Sequence, residues 1–322
     1  MTVKTALIVP YFGTLPNYFQ LFLDSCAKNP DFDWLIFSDD ETAYRYPENV
    51  RLHKMTFGQC RELVQRRFDF PVTLHTPQKL CDYKCAYGPI FQEYLTGYDW
   101  WGHCDLDQIF GDLGAFVTED MLRTCDKVGS IGHLTLQRNT DECNRVFAST
   151  PRHREVFTTE RGCAFDEWLP GNVNEIWLES GRPVWMENPG ADINSYRTTL
   201  QTVRFDLDSR SYEMSPVTNS IFCWENGTLT QLWEEDGVLQ SRPWPYVHLQ
   251  KRAMTDCRRD KTAHKFYIVP NRFVDGTEDP VRLLKQAKRR GMVNTQFFKV
   301  KWKSLKYRLR SGDWKFSNVF RN

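Results

Sequence analysis

Short apolar runs alternate with stretches of helical spacing through the N-terminal third of the chain, and nothing else in the sequence constrains the fold as much. Ala6-Leu7-Ile8-Val9-Pro10 reads as a first strand and Trp34-Leu35-Ile36-Phe37-Ser38 as a second. Between them Tyr18, Phe19, Phe22, Leu23 and Cys26 recur at the spacing of a helix. Residues 49–53 suggest a third strand and 57–68 a second helix, and 79–94 a third helix kinked near Gly88-Pro89. Strands separated by helices predict an α/β fold with helices on the faces of a sheet. Ligands of such folds lie beyond the carboxyl ends of the strands. The loop Pro10-Tyr11-Phe12-Gly13 is at such an end, where either ring stacks on a base or packs beneath the loop. A carboxylate of Asp39-Asp40-Glu41, after the second strand, would take a ribose hydroxyl or a base N–H, or simply cap a helix.

The next apolar run ends in acids. Tyr98-Asp99-Trp100-Trp101-Gly102-His103-Cys104 leads into Asp105-Leu106-Asp107, and Gly111 marks a turn soon after. On an extended chain two acids two residues apart share a face. Two carboxylates on one face suit a hard divalent cation with oxygen ligands. Spacing alone is weak, because Asp31-Phe32-Asp33 and Asp206-Leu207-Asp208 repeat it, and a strand end with its acids in water is the plainer use. Context separates the copy at 105: an aromatic run and a helix with Asp82 and Lys84 precede it. A lysine there would reach a diphosphate and the aspartate would orient it or a sugar, unless both lie on a surface helix face.

Downstream, 117–124 and 141–148 read as helices, and 127–136 as one strand whose Gly129 and Gly132 let a ligand approach the backbone. Asp166-Glu167 stands between Phe165 and Trp168. Partial desolvation there would raise a carboxylate pKa toward what a general base needs, whereas an acidic pair at a helix N-terminus is the ordinary alternative. A strand at 183–186 leads to Asp192. From Asn219 the pattern turns antiparallel, with apolar strands flanking Asn226-Gly227, a strong hairpin signal. Tyr246-Val247-His248 then returns to the core, and Lys251 follows His248 by three residues, so one short segment offers a metal ligand and a phosphate cation.

The net charge of +1 hides an uneven distribution. Between Val281 and Gly312 lie eleven of the 42 basic residues and none of the 41 acidic ones, so the remainder carries 31 basic against 41 acidic residues. Lys and Arg interleaved with Phe297, Phe298, Trp302 and Tyr307 suit an anionic lipid surface. The acidic body argues against nucleic acid as the partner, and a solvated basic tail is the bland alternative. The ten cysteines show neither a Cys-x-x-Cys nor zinc-finger spacing. The first residues are too short for a signal peptide and no stretch approaches a transmembrane helix. These features predict free thiols and a cytoplasmic protein, peripheral on the inner face of the cell membrane.

The order of these elements resembles the GT-A glycosyltransferases. The segment 79–112 and His248-Leu249-Gln250-Lys251-Arg252 look like the signatures of an uncharacterised bacterial family associated with capsule or lipopolysaccharide assembly. The resemblance covers roughly residues 3–255. It implies a Rossmann-like mixed sheet flanked by helices, with a small antiparallel β part, to which the composition adds a basic tail. In domain terms that is 1–270, split into a nucleotide-sugar half (1–115) and an acceptor half (116–270); the tail at 271–322 is set apart by its basic, aromatic composition rather than by the resemblance. It implies Mn²⁺ or Mg²⁺ on Asp105, Asp107 and His248, and a nucleoside-diphosphate sugar held by Pro10, Tyr11, Phe12, Asp39, Asp82, Lys84, Asp105 and Lys251. Glu167 or Asp166 would take the proton of an acceptor hydroxyl in an inverting enzyme, the outcome favoured here. In a retaining enzyme the pair would orient a substrate. This pair reads Asp-Glu where the superfamily usually has Glu-Asp. The implied reaction moves a hexose from a UDP-sugar to a glycan or lipid-linked glycan.

Two rivals differ in class. A phosphatase using the first acid of Asp-x-Asp as nucleophile would want the motif near the N-terminus with Thr or Val after it, and here Gln108 follows at mid-chain. A non-catalytic carbohydrate- or lipid-binding scaffold would keep the fold without metal-dependent nucleotide binding.

Overall fold

The computed structural model describes residues 3–250 and 252–311, except for the side chains of residue 304 and residues 307–311. β1 (Thr5–Pro10), β2 (Phe32–Ser38) and β3 (Val50–Lys54) are parallel neighbours, with α1 (Phe19–Cys26) between the first two. α2 (Phe57–Gln65) opens on a capping box, in which Thr56 and Gln59 each accept from the other's backbone N–H. The helix expected over 79–94 is instead a series of short turns that includes α3 (Leu80–Tyr83) and α4 (Tyr87–Ile90). Pro89 has no N–H to return to the preceding turn, and Gly88 weakens it further.

β4 (Trp100–Cys104) joins β1 in parallel, after which β5 (Gln108–Phe110) departs for a second sheet. α5 (Glu119–Thr124) leads to β6 (Lys127–Ile131) and β7 (Leu134–Arg138), an antiparallel pair where one strand was expected. The spacing of three between Val128, Ile131 and Leu134 breaks the period of a strand, and the chain reverses at Gly132-His133. α6 (Arg152–Phe157), α7 (Val173–Glu179) and β8 (Val184–Trp185) complete this part. The first sheet runs β3-β2-β1-β4-β7-β6-β8 and is mixed.

β9 (Ala191–Ile193), β10 (Thr202–Asp206) and β11 (Ser211–Met214) form one side of the second sheet. β12 (Ile221–Glu225), β13 (Thr228–Glu235) and β14 (Val238–Trp244) form the predicted meander, and Asn226 and Gly227 take the φ values of +50° and +96° that a tight hairpin turn demands. β15 (Tyr246–His248) crosses back to lie between β9 and β5. β16 (Thr255–Asp256), β17 (Lys265–Val269) and β18 (Arg272–Asp275) finish the third sheet. α8 (Pro280–Gly291) and α9 (Thr295–Ser311) follow.

Both faces of the first sheet are buried, and strand alternation divides the residues between them. Ala6, Ile8, Leu35, Phe37 and Trp101 enter one core, whereas Leu7, Val9, Trp34, Ile36 and Trp100 enter the other. The fold is thus α/β, with mixed sheets flanked by helices. Strand pairing crosses both expected divisions. β4 pairs with β7 and β5 with β15 across the break at 115. The break at 270 falls inside the β17–β18 hairpin, and Leu283, Leu284 and Ala287 of α8 are buried on the third sheet. Each of the ten cysteines is free, and among the described residues no helix is long and apolar enough to cross a membrane.

Candidate active site

The acids at 105 and 107 sit in the link between two sheets. β4 ends at Cys104 in the first sheet and β5 begins at Gln108 in the second. Leu106 is buried in the core and anchors the link, which leaves both acids facing the other way, half-buried. Sheet register then brings the third candidate ligand. β15 pairs with β5 so that His248 is opposite Gln108, and with β9 so that His248 is opposite Asp192. His248 Nε2 lies 3.1 Å from Asp107 Oδ1 and 3.9 Å from Asp105 Oδ2. Its Nδ1 lies 2.8 Å from Asp192 Oδ1. Burial disfavours the imidazolium, but Asp107 and Asp192 outweigh it and hold the His248 pKa well above its ordinary value.

Two sets of potential metal ligands are found among the described residues, and both contain His248. In Asp105–Asp107–His248 the two acids are partly open and line a cavity of about 330 Å³. In His133–Asp192–His248 every member is buried. There Asp192 accepts from Gln250 Nε2 at 2.7 and 2.8 Å besides bonding His248, which makes it an orienting group for the imidazole. His133 is in ring contact with His248 at 4.4 Å, and burial pushes its own pKa down to about 4, so it stays neutral beside its neighbour. Two carboxylates and one imidazole fit a divalent ion such as Mn²⁺ or Mg²⁺.

The cavity beside the acids is also lined by Pro10, Tyr11, Phe12, Pro77, Lys84 and Tyr87. This gathers much of the expected nucleotide-sugar site, with corrections. Phe12 is buried and packs on Phe57, so it shapes the floor more than it offers a free ring. Tyr11 is half-buried and its hydroxyl donates to the Thr14 carbonyl. Asp39, expected at the same site, is exposed and does not line the cavity; it accepts from the Gly13 backbone N–H at 2.7 Å and so fixes the loop after β1. Asp82 does not face the cavity: it is buried and takes hydrogen bonds from Lys79 and from the backbone N–H of Cys163 and Phe165. Its work is to hold the loop that carries the second acidic pair. Lys251 lies outside the described residues.

Lys84 does not project freely toward a diphosphate. Its ammonium is buried, 2.9 Å from Asp105, 3.2 Å from Asp166 and 2.7 Å from the Gly132 carbonyl. It is the cation that allows two acids from distant parts of the chain to sit together. Gly132 has a matching role: a Cβ there would lie 2.1 Å from Asp166 Oδ2 and 3.1 Å from Glu167 Oε1. The glycine admits the chain's own acids, not a ligand as expected. Burial, and then the Asp166 charge, push the Glu167 pKa up to about 8 against the pull of Lys84. The Asp166 pKa is raised by burial too. Tyr212, whose hydroxyl is 3.4 Å from Glu167, comes from the β10–β11 hairpin, which sequence periodicity did not reveal.

The chain belongs to DUF6625, a family of unknown function. The family model matches residues 7–277, from β1 through β18, and so contains every residue of the site. No curated protein matches the chain significantly. The expected metal ligands therefore come together, and the orienting acid Asp192 and the bracing role of Lys84 are additions. Asp192 carried no periodic signal, because the expected strand at 183–186 stops short of it and β9, in which it lies, is only Ala191–Ile193.

Proposed function

We propose that this chain is a metal-dependent glycosyltransferase of the GT-A type that moves a hexose from a UDP-sugar to a glycan or lipid-linked glycan acceptor in bacterial surface-polysaccharide assembly. One observation carries the proposal: Asp105, Asp107 and His248 converge beside a cavity, and Lys84 ties that set to the desolvated pair Asp166-Glu167. Asp105, Asp107 and His248 would hold Mn²⁺ or Mg²⁺, which when bound supplies Lewis acidity toward a diphosphate. Tyr11 and the exposed acid Asp39, which fixes the loop after β1, would receive the nucleoside. Lys84 holds Asp105 in place and adds fixed positive charge behind it. Glu167, kept basic by burial, would accept the proton of the attacking acceptor hydroxyl at a carboxylate oxygen, the inverting course.

The test is a panel of UDP-, GDP- and TDP-sugars assayed for metal-dependent donor hydrolysis, with product anomeric configuration determined where transfer occurs. Asp107→Ala and Asp105→Ala should each abolish turnover in a chain that still folds, and Asp105→Ala, which removes a partner of the buried Lys84, should also lower the melting temperature. Full activity in either variant overturns the metal site. Absence of any Mn²⁺-dependent stabilisation by UDP would favour a non-catalytic scaffold instead.

A further inference from the structure

α9 has two unlike sides. On one side it is fastened to the body: Gln296 is buried and its backbone N–H donates to Thr198 Oγ1, while the Thr198 backbone N–H donates to Asn294 Oδ1. Phe297 meets Tyr196 in the same region, and Lys301 lies over both rings. On the other side Phe298 and Trp302 stand one turn apart, 66% and 59% exposed. Met292 and Val293, at the corner between α8 and α9, are 83% and 62% exposed. A soluble surface scatters such residues singly, and a row of them marks an interaction face.

The flanks of this row are cationic. Lys299, Lys303 and Lys306 are all exposed, and Lys306 reaches over the Trp302 ring. Helical geometry puts these lysines on one side of the Phe298–Trp302 row, about a quarter turn away, and Lys301 on the other. No acidic residue occurs between Val281 and Gly312. An apolar ridge flanked by a row of exposed lysines, with no carboxylate in its own segment to pair them, is complementary to a surface that is apolar inside and anionic at its boundary. Lysine stems lie along apolar surface while their ammonium groups reach outward to head-group phosphates.

We propose that the outer face of α9, together with the α8–α9 corner, is a docking surface for an anionic lipid bilayer, with Phe298 and Trp302 entering the interface and Lys299, Lys303 and Lys306 meeting the head groups. The segment beneath it, 194–199, begins directly after β9, the strand that carries Asp192. Docking of this face would therefore hold the protein by an element adjoining its metal site. The proposal stands apart from the reaction proposed above and is measured without it.

The experiment is co-sedimentation of the full-length chain with vesicles of phosphatidylcholine alone and of phosphatidylcholine mixed with phosphatidylglycerol. Binding is expected to the anionic vesicles only and to weaken as salt rises. Phe298→Ser combined with Trp302→Ser should lower vesicle affinity on the order of a hundredfold through lost apolar burial, with the melting temperature unchanged. Lys299→Glu with Lys303→Glu should remove the preference for anionic lipid. Failure of the parent to bind, equal binding to both vesicle types, or unchanged binding by the aromatic double variant overturns the proposal. So does a dimer of the parent that the double variant loses, which would make the face a contact between copies, or binding to duplex DNA in place of vesicles.

Discussion

His248 serves the site through both of its ring nitrogens. Nε2 faces Asp105 and Asp107, while Nδ1 is held by Asp192, itself fixed by Gln250. An acid bonded to one nitrogen sets the tautomer and makes the other a better ligand, and outer groups of this kind change metal affinity about 10- to 100-fold. Asp192→Asn should therefore weaken Mn²⁺ binding by about that range in a calorimetric titration while the melting temperature without metal moves little. Unchanged Mn²⁺ affinity would reduce Asp192 to a packing role. Glu167 makes a prediction of opposite character. Burial lifts its pKa from the ordinary 4.5 to about 8 in the folded chain. Folding thus favours the protonated acid: this contribution is complete below about 4.5 and is lost as pH rises through about 8. Glu167→Gln should raise the melting temperature relative to the parent at pH 9 and scarcely change it at pH 4. If Glu167 is the base, the same substitution should slow transfer by about 10²- to 10⁴-fold, and the parent's rate should climb with pH until it levels near 8. A pH-independent difference in melting temperature would mean that the carboxyl is solvated.

Elements whose burial imposes a simple period were legible from the sequence, and those defined by distant partners were not. β1, β2 and α1 follow from alternation and helical spacing because the first sheet is packed on both faces. The turn at Asn226-Gly227 follows from backbone chemistry alone. β6 and β7 were fused into one strand because the polar Gly132-His133 turn lies inside an apolar run, and only the slip in spacing marks it. β10 and β11 escaped notice because β11 is exposed throughout and so shows no inward face. At the site, spacing alone left the three Asp-x-Asp copies alike, sequence context favoured the one at 105, and tertiary partners separate them. Asp33 receives hydrogen bonds from Tyr98 and Arg51, and Asp206 caps a turn at Ser209. Among the described residues, only the copy at 105 and 107 joins a histidine in a set of potential metal ligands, and the register of β15 against β5 and β9 arranges that meeting. Lys84 was found by its place in the sequence, but its pairing with Asp166 was not, because spacing cannot show that Gly132 opens room for Asp166 to reach it.

At the scale of the whole molecule, the basic C-terminal segment is two structures with different duties. α8 opens on Asp279, which accepts from the backbone N–H groups of Val281 and Arg282, and it buries Leu283, Leu284 and Ala287 against Ile221, Cys223, Tyr267 and Val269 of the third sheet. Asn219 also donates to its Leu284 carbonyl. α9, by contrast, exposes Phe298 and Trp302 and touches the body chiefly around Thr198 and Tyr196. The two helices should therefore separate on truncation. A chain ending after Asn294 keeps α8 and the hydrogen bond from the Thr198 backbone to Asn294, so it should remain folded. It should lose at most a few degrees of melting temperature and retain Mn²⁺-dependent stabilisation by UDP. A chain ending after Asp279 uncovers the apolar face of the third sheet, where removal of buried side chains such as Leu costs about 2–5 kcal/mol each. That chain should melt far lower or aggregate. Paired thermal melts of the two truncations check this, and equal stability of the two would show that α8 is as dispensable as α9.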